Sequence, residues 1–399
     1  MEPMNSFSLA ALPQLEVGSG SLKSLIDWLK VKEHTSILLC IGGSSFKRSG
    51  HLDEFLSQCE ENGIEVTIEQ ITDEPSPEIV DMITTTHMKG TISCIVGIGG
   101  GSVIDAAKAV SAMIAEGRIG NSSSVTDYLE GVGTLSPSGT RLGLAAVPTT
   151  SGTGTEATKN AVISSVGENG FKKSLRHMQY VPDLAILDGD LITTCPSSVS
   201  AASGLDAVTQ LLEALVSTAS NPFTERLALQ GLAIAGSVLP GIIDGSLAND
   251  SDARTQMAYA AYLSGVALAN ANLGVVHGAA STLGGARTIP HGVVCGTLLR
   301  SASETIIEHL KASGDSKALK AYSQAGYALM GVPSGGIDKG LEILLDILTD
   351  WEHEFSIPLL SEYGFTKEEL QKMSKTVGIK NTPATLTAEE VTQILLKRL

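Results

Sequence analysis

The feature of this sequence that most constrains its fold is a series of short apolar runs confined to the first half. Five segments have the length of a strand and are separated by segments with helical spacing; they cover residues 36–41, 64–69, 91–98, 142–147 and 183–188. All but 64–69, which alternates, are mainly apolar. Apolar runs that alternate with helices indicate a parallel sheet covered on both faces. We therefore expect an α/β domain here.

The second half has a different pattern. After about residue 190 the strand signals disappear, and long segments rich in alanine and leucine follow with helical spacing. No flexible linker marks the change, so the two parts should pack directly and form a cleft between them. We predict an α/β domain over residues 1–189 and an all-helical domain over residues 190–399.

Composition restricts the possible functions. The chain has 399 residues, of which 43% are hydrophobic, and this suits two domains with large cores. Its net charge is −16, whereas binding to a phosphate backbone needs a positive surface, so we expect no nucleic-acid partner. The five cysteines form no CxxC pair, and Cys40 and Cys94 lie in apolar strand-like runs, so these two should be reduced.

Targeting signals are weak. The first residues lack a basic segment before an apolar one, as a secretion signal would have. The most apolar stretch, 258–276, is interrupted by polar residues and glycines, which favours a buried core helix over a membrane span. We expect a cytoplasmic protein with no membrane partner.

Two histidines, each followed by glycine, form a candidate metal site with an upstream aspartate. His277 and His291 lie in neighbouring motifs, and Asp206 lies in a helical segment. Divalent ions of borderline softness take imidazole nitrogen and carboxylate oxygen, and a catalytic site commonly leaves one position open. A histidine in an apolar segment is also typical of a hydrogen-bonded core residue, so the pattern alone leaves both interpretations open.

A glycine-rich loop predicts a phosphate site. The segment 97–109, GIGGGSVIDAAKA, follows a strand and opens a helix. Successive glycines let the backbone approach an anion, and a helix N-terminus presents free amide groups. Gly99, Gly100, Gly101 and Ser102 are therefore candidates for a pyrophosphate cradle, with a tight strand-to-helix turn as the alternative. A second loop, 147–158, has hydroxyls and glycines suited to ribose and phosphate contacts.

A third loop bears on which nicotinamide is used. A dinucleotide site usually holds an acid near the end of an early strand to bind the adenosine ribose hydroxyls. Here the segment 41–50 offers small groups, followed by Lys47 and Arg48. The candidate contacts are Gly42, Ser44 and Ser45. This pattern would accept a 2′-phosphate and favours NADP(H) over NAD(H), although the two basic residues also fit a solvated helix start.

Six motifs, in chain order, resemble the iron-containing (group III) alcohol dehydrogenase family: GGGSVIDAAKA, PTTSGTGTEATKNAVI, PDLAILD, SGLDAVTQLLEALVS, HGAASTLGG and PHGVVCG. The resemblance spans about residues 10–380. It implies a dehydroquinate-synthase-like fold, with an N-terminal dinucleotide-binding α/β domain, a C-terminal helical domain and a metal at the base of the cleft. It also implies hydride transfer between a nicotinamide and a small alcohol or aldehyde, in at least a homodimer.

The resemblance assigns roles to individual residues. It implies that Asp206, His277 and His291 match three of the family's metal ligands, with Fe²⁺ or Zn²⁺ as the ion. The cofactor contacts that it implies, besides the pyrophosphate loop, are Asp105, Thr149, Thr150, Gly152 and Lys173.

Two departures from the family pattern concern the metal site. The family usually carries a histidine four residues after the aspartate, where this chain has Gln210, and often a second histidine where this chain has Ser281. An amide oxygen is a poorer ligand for a transition metal than imidazole nitrogen. Either three residues hold the metal with weak help from Gln210, or metal affinity is lost. Ser281 then becomes one candidate for the proton route.

Basic residues near these motifs are candidates for holding an anionic group of the substrate. They are Lys159, Arg176 and Arg287, of which Arg287 lies between the metal histidines. Two further functions stay open: a dehydroquinate-synthase-like lyase, which also uses a nicotinamide and a metal, and a non-catalytic NADP(H)-binding protein.

Overall fold

The computed structural model describes residues 6–121, 123–167 and 170–399. The strands are β1 (Gln14–Val17), β2 (Ser36–Ile41), β3 (Glu65–Gln70), β4 (Cys94–Gly99), β5 (Gly143–Pro148), β6 (Asn160–Ser165), β7 (Phe171–Arg176) and β8 (Leu184–Leu187). The helices of the first half are α1 (Ser24–Val31), α2 (Ser45–Arg48), α3 (His51–Glu61), α4 (Pro77–His87) and α5 (Gly101–Arg118). Those of the second half are α6 (Ser197–Val216), α7 (Pro222–Asp244), α8 (Ser251–Ala271), α9 (Val275–Ala286), α10 (His291–Ser313), α11 (Ser316–Met330), α12 (Ile337–Glu354), α13 (Lys367–Met373) and α14 (Ala388–Leu396).

Six strands form one parallel sheet in the order β1-β8-β5-β4-β2-β3. Alternate residues of β2 enter different cores: Leu38 and Cys40 pack on the side of α4 and α5, whereas Ile37 and Leu39 pack on the side of α1 and α3. The predicted parallel sheet covered on both faces is therefore confirmed. Chain order reverses between β2 and β4, and the carboxyl ends at such a point form the usual ligand crevice.

Three strands lie outside the five predicted segments. The edge strand β1 is short and partly exposed, and β6 and β7 form an antiparallel hairpin beside the sheet. The hairpin was missed because β7, FKKSLR, is mainly polar. The predicted strand at 36–41 matches β2, and the other four are displaced by a few residues at their ends.

The second half contains helices only among the residues described, as predicted. The last strand ends at Leu187 and α6 begins at Ser197, on either side of the predicted boundary. Two helices, α6 and α7, are long and apolar enough to cross a membrane by length and composition; 83% of the apolar window of α6 and 39% of that of α7 are buried inside the fold. The stretch expected to be one core helix is split between α8 and α9, which meet at an angle of 99°.

Candidate metal and cofactor site

A cavity of about 840 Å³ opens between the two halves of the chain. Its walls come from the starts of α5 and α9, the hairpin of β6 and β7, and the segment that leads into α10. A second cavity of about 460 Å³ shares Gly101, Ser102, Thr153 and Pro290 with the first. Both volumes lie within the range of about 300–1,000 Å³ that is common for small-molecule sites.

The three predicted metal ligands meet at this cleft. Asp206 lies in the middle of α6, His277 in the first turn of α9, and His291 begins α10. The Oδ1 atom of Asp206 is 3.3 Å from Nε2 of His277 and 3.7 Å from Nε2 of His291. The structure therefore brings together side chains that are up to 85 residues apart in sequence, with their donor atoms converging.

A second carboxylate fixes the orientation of His277. Nδ1 of His277 donates to Oε2 of Glu213 at 2.7 Å, and the other oxygen of Glu213 accepts from the amide of Val276 at 2.7 Å. A proton on Nδ1 leaves Nε2 free to bind a metal, and such a carboxylate–histidine contact is the usual support of a metal-binding histidine. Sequence reasoning missed Glu213, which lies on the same helix face as Asp206, two turns later.

The charge states suit a metal site. Burial disfavours ionisation of Asp206, but the adjacent imidazoles of His291 and His277 lower its pKa to about 2. Burial lowers the pKa of His291 to about 4, which keeps its imidazole neutral. Its Nδ1 is buried and has no hydrogen-bond partner among the described residues. Despite burial, Cys295 and hydrogen bonds with Asp206 and Glu213 raise the pKa of His277, so a metal ion bound here would displace a proton from that ring.

Cys295 joins this cluster, although the sequence analysis assigned it no role. It lies one turn after His291 on α10, and its sulfur is 3.7 Å from Nε2 of His277 and 3.7 Å from Nε2 of His291. The donor atoms of Asp206, His277, His291 and Cys295 all lie within 4.8 Å of one another. The spacing of four residues after His291 was the available signal, because residues four apart share a helix face.

Gln210 and Ser281 occupy the two positions that depart from the family pattern. Gln210 lines the large cavity, and its side-chain oxygen accepts from the hydroxyl of Ser264 at 3.0 Å. Ser281 also lines the cavity, and its hydroxyl donates to the carbonyl oxygen of His277 at 3.1 Å. Both residues are thus at the cleft, as expected, and their roles stay predictions.

The first two glycine loops face each other at the carboxyl ends of β4 and β5. Helix α5 begins without a side-chain cap, so its first amide groups remain available to an anion. A Cβ added to Gly101 would lie 2.6 Å from the hydroxyl of Thr153, so glycine is needed for the loops to approach. Gly100, Thr150 and Gly152 line the smaller cavity. Thr149 donates its amide to the carbonyl oxygen of Gly99, which joins the two loops.

Asp105 lies among buried hydrogen bonds that join α5 to the second glycine-rich loop. It is 8% exposed, and its carboxylate accepts from the hydroxyl of Thr155 at 2.5 Å. Burial raises its pKa. The neighbouring Lys108 is fully buried and donates to Thr155, Thr158 and Asn160. These contacts attach the second loop to α5, so Asp105 positions the loop, although it also lines the large cavity.

The lysine that reaches the large cavity is Lys172 and not the predicted Lys173. Lys172 lines the cavity and forms an ion pair with Glu74, whose carboxylate also accepts from the hydroxyl of Ser164. Because side chains alternate along β7, Lys173 points to the opposite face of the hairpin and is exposed. The structure therefore places Lys172 at the cavity and Lys173 away from it, and the lysine contact to the ribose stays a prediction.

The other basic candidates are placed differently. Arg287 lines the large cavity but pairs with Glu369 at 2.6 Å. Lys159 points its amine to the sulfur of Met178 at 3.3 Å, and Arg176 pairs with Glu130 at 3.5 Å; neither lines the described cavities. The structure therefore does not support Lys159 at the site.

The third loop lies beside the first. Gly42 follows β2 and packs near Val103 in the first turn of α5, where an added Cβ would be 3.5 Å from its side chain. Ser44 and Ser45 begin the short helix α2. These residues do not line the two cavities and extend the site along the sheet edge.

Comparisons with known proteins agree with this architecture. Residues 13–189 match the family model described as iron-containing alcohol dehydrogenase, and residues 200–399 match its C-terminal counterpart. An NADPH-dependent butanol dehydrogenase from Clostridium saccharobutylicum is 32% identical over 89% of this chain and 86% of its own. An NAD-dependent methanol dehydrogenase from Bacillus methanolicus is 26% identical over 96% of this chain and 97% of its own.

The fold is also shared with solved structures. The crystal structure of an alcohol dehydrogenase from an archaeal, halo-thermophilic source in a Red Sea brine pool has a TM-score of 0.88 at 24% identity and covers 100% of both chains. The family models together match nearly the whole sequence, and the matched ranges contain the glycine loops and the ligand cluster. This chain belongs to the iron-containing alcohol dehydrogenase family.

Proposed function

We propose that this protein is a metal-dependent, nicotinamide-linked alcohol dehydrogenase or aldehyde reductase that acts on a small alcohol or aldehyde. The observation that carries the proposal is the cluster of Asp206, His277 and His291 donor atoms beside the uncapped start of α5. Asp206, His277 and His291 would hold a divalent ion that supplies Lewis acidity, and the start of α5 would hold a nicotinamide cofactor that supplies or accepts hydride.

The chain's own residues set the geometry of this reaction. Glu213 orients His277, and burial of Asp206 keeps its carboxylate directed into the cluster. The amide groups at the start of α5 would hold the pyrophosphate, and the adjacent loop at Thr150 and Gly152 would bind next to it. Holding the reacting groups in one cleft contributes through proximity and orientation.

Proton transfer needs a group at the cavity wall. Ser281 offers a hydroxyl in the large cavity, one turn after His277, where many family members have a histidine. A serine does not titrate near neutral pH, so it would pass a proton between substrate and solvent and would not store one. The ribose hydroxyl of the cofactor is the alternative.

We further propose NADP(H) over NAD(H), with Lys47 and Arg48 next to the adenosine ribose. Both residues are exposed on α2 at the carboxyl end of β2, and no acid stands between residues 42 and 50. The two relatives above use different nicotinamides by name, so the support comes from this loop. A homodimer or larger homo-oligomer in the cytoplasm is part of the same proposal.

The test combines metal content with turnover. Purified protein is analysed for metal and assayed by absorbance at 340 nm with NADPH or NADH and a panel of small aldehydes, before and after chelation. We expect about one divalent ion per chain and nicotinamide oxidation that chelation abolishes and the ion restores. Product formation without net nicotinamide oxidation would instead indicate a lyase. Cofactor binding without product would indicate a binding protein.

A further inference from the structure

The environment of Cys295 differs from that of a structural cysteine. Cys295 is fully buried, yet its sulfur lies among polar donor atoms, 3.7 Å from each histidine Nε2. Cys40 and Cys94, which are equally buried, lie in the apolar sheet. A buried thiol that acts only as a small hydrophobic group is expected to contact apolar side chains, whereas this thiol faces two imidazoles and a carboxylate.

The distances match the edges of a coordination polyhedron. Bonds to zinc of about 2.0–2.1 Å for nitrogen or oxygen and about 2.3 Å for sulfur put tetrahedral ligands ~3.3 Å apart for nitrogen–oxygen pairs and ~3.6 Å apart for nitrogen–sulfur pairs. The observed separations are 3.3 and 3.7 Å between Asp206 oxygen and the two histidine nitrogens, and 3.7 Å for both nitrogen–sulfur pairs. These four separations match the edges, and all donor atoms of the four residues lie within 4.8 Å of one another, so one ion could bind all four once the remaining pairs move closer.

A hydrogen bond alone explains this arrangement less well. A thiol has one proton and can donate to one nitrogen, whereas Cys295 is equally far from both. The other possible fourth ligand, Gln210, is already held by Ser264. Thiolate is also the better donor, since an amide oxygen binds transition metals weakly.

We propose that Cys295 is a protein ligand of the metal, which completes a set of two imidazoles, one carboxylate and one thiolate, and that this set favours zinc over iron(II). The proposal rests on the metal site proposed above. The thiol gives its proton to solvent on binding, since the thiolate is the ligand form. Such a set combines the nitrogen and sulfur donors that zinc prefers, and a zinc site can expand to five ligands during catalysis.

X-ray absorption at the zinc edge tests the ligand directly, without an activity measurement. Zinc-loaded wild-type protein should show a sulfur shell at about 2.3 Å, and Cys295→Ser should show only nitrogen and oxygen at about 2.0–2.1 Å. Cys40→Ser, which removes a buried cysteine from β2, is the matched control and should keep the sulfur shell. The cobalt-loaded proteins should agree, with a sulfur-to-cobalt charge-transfer band in the wild type that Cys295→Ser lacks.

Affinity and selectivity give a second measurement. Cys295→Ser should lower zinc affinity by at least about tenfold, the least effect expected of a lost ligand. After anaerobic loading with equal zinc and iron(II), its ratio of bound zinc to iron should fall below that of the wild type. Bound zinc without sulfur scattering in the wild type overturns the role of Cys295 and leaves the three-residue site intact. Failure of the wild type to bind any divalent ion overturns the metal-dependent function as well.

Discussion

Replacing Glu213 by glutamine should weaken metal binding without touching a ligand. Glu213 accepts from Nδ1 of His277 and from the amide of Val276, each at 2.7 Å. A glutamine keeps one accepting oxygen, but its amino group cannot accept from the other donor, so one of the two bonds is lost and the remaining one loses its charge. The imidazole of His277 is then held less firmly in the orientation that points Nε2 toward Asp206.

The magnitude follows from these contacts. A hydrogen bond to a charged group contributes about 1.5–3 kcal/mol. Loss of the carboxylate behind a metal-binding histidine commonly costs about 10–100-fold in metal affinity, which corresponds to about 1.4–2.7 kcal/mol. Both estimates agree, so Glu213→Gln should raise the zinc dissociation constant by one to two orders of magnitude.

The assay is a zinc titration of metal-free protein against a competing chromophoric chelator at fixed pH. Glu308→Gln is the control, because Glu308 is exposed on α10. Thermal unfolding of each metal-free variant separates a loss of affinity from a loss of fold. A folded Glu213→Gln protein that binds zinc as tightly as the wild type would refute the argument that this carboxylate orients His277.

Three further predictions concern the cofactor loops and the sheet. The double substitution Lys47→Ala and Arg48→Ala should lower NADPH affinity by about tenfold and leave NADH affinity unchanged, as measured by fluorescence titration; equal losses for both would contradict the 2′-phosphate assignment. Gly101→Val should abolish binding of either nicotinamide but leave metal content unchanged, because its Cβ would lie 2.6 Å from Thr153. Asp183 is partly buried, but its hydrogen bonds and the charge of Arg141 lower its pKa. Its contribution to the free energy of unfolding is therefore present above about pH 4 and declines as the pH falls below the unfolded pKa of 3.8. Asp183→Asn should therefore destabilise the protein by about 1–2 kcal/mol at pH 7 and flatten this decline in denaturant titrations; an unchanged free energy of unfolding would contradict a stabilising role of the pair.

The sequence predicted the features that depend on local pattern. Apolar runs such as 36–41 identify buried parallel strands, because such strands are covered on both faces. The hairpin of β6 and β7 was missed, because one of its strands is mainly polar. In the same hairpin, Lys172 lines the cavity and the predicted Lys173 does not, because neighbouring residues of a strand face opposite sides.

The sequence identified the motifs of the site but only some of the side chains that belong to it. Asp206, His277 and His291 were identified from ligand type and resemblance, and the structure brings them together. Cys295 and Glu213 were overlooked because their importance depends on where α10 begins and which face α6 turns toward α9. Those facts come from packing, which the sequence does not state.

The positions of the two histidines explain how the site can lose a family ligand. His277 and His291 lie in the first turns of α9 and α10, and neither helix start has a side-chain cap. A helix N-terminus disfavours added positive charge on an imidazole, while Asp206 and Glu213 place two buried carboxylates on α6 beside them. The frame of three helices thus sets the ligand geometry and the charge balance. Histidine and glutamine at position 210 are both neutral donors, so their exchange alters donor strength and leaves that balance in place.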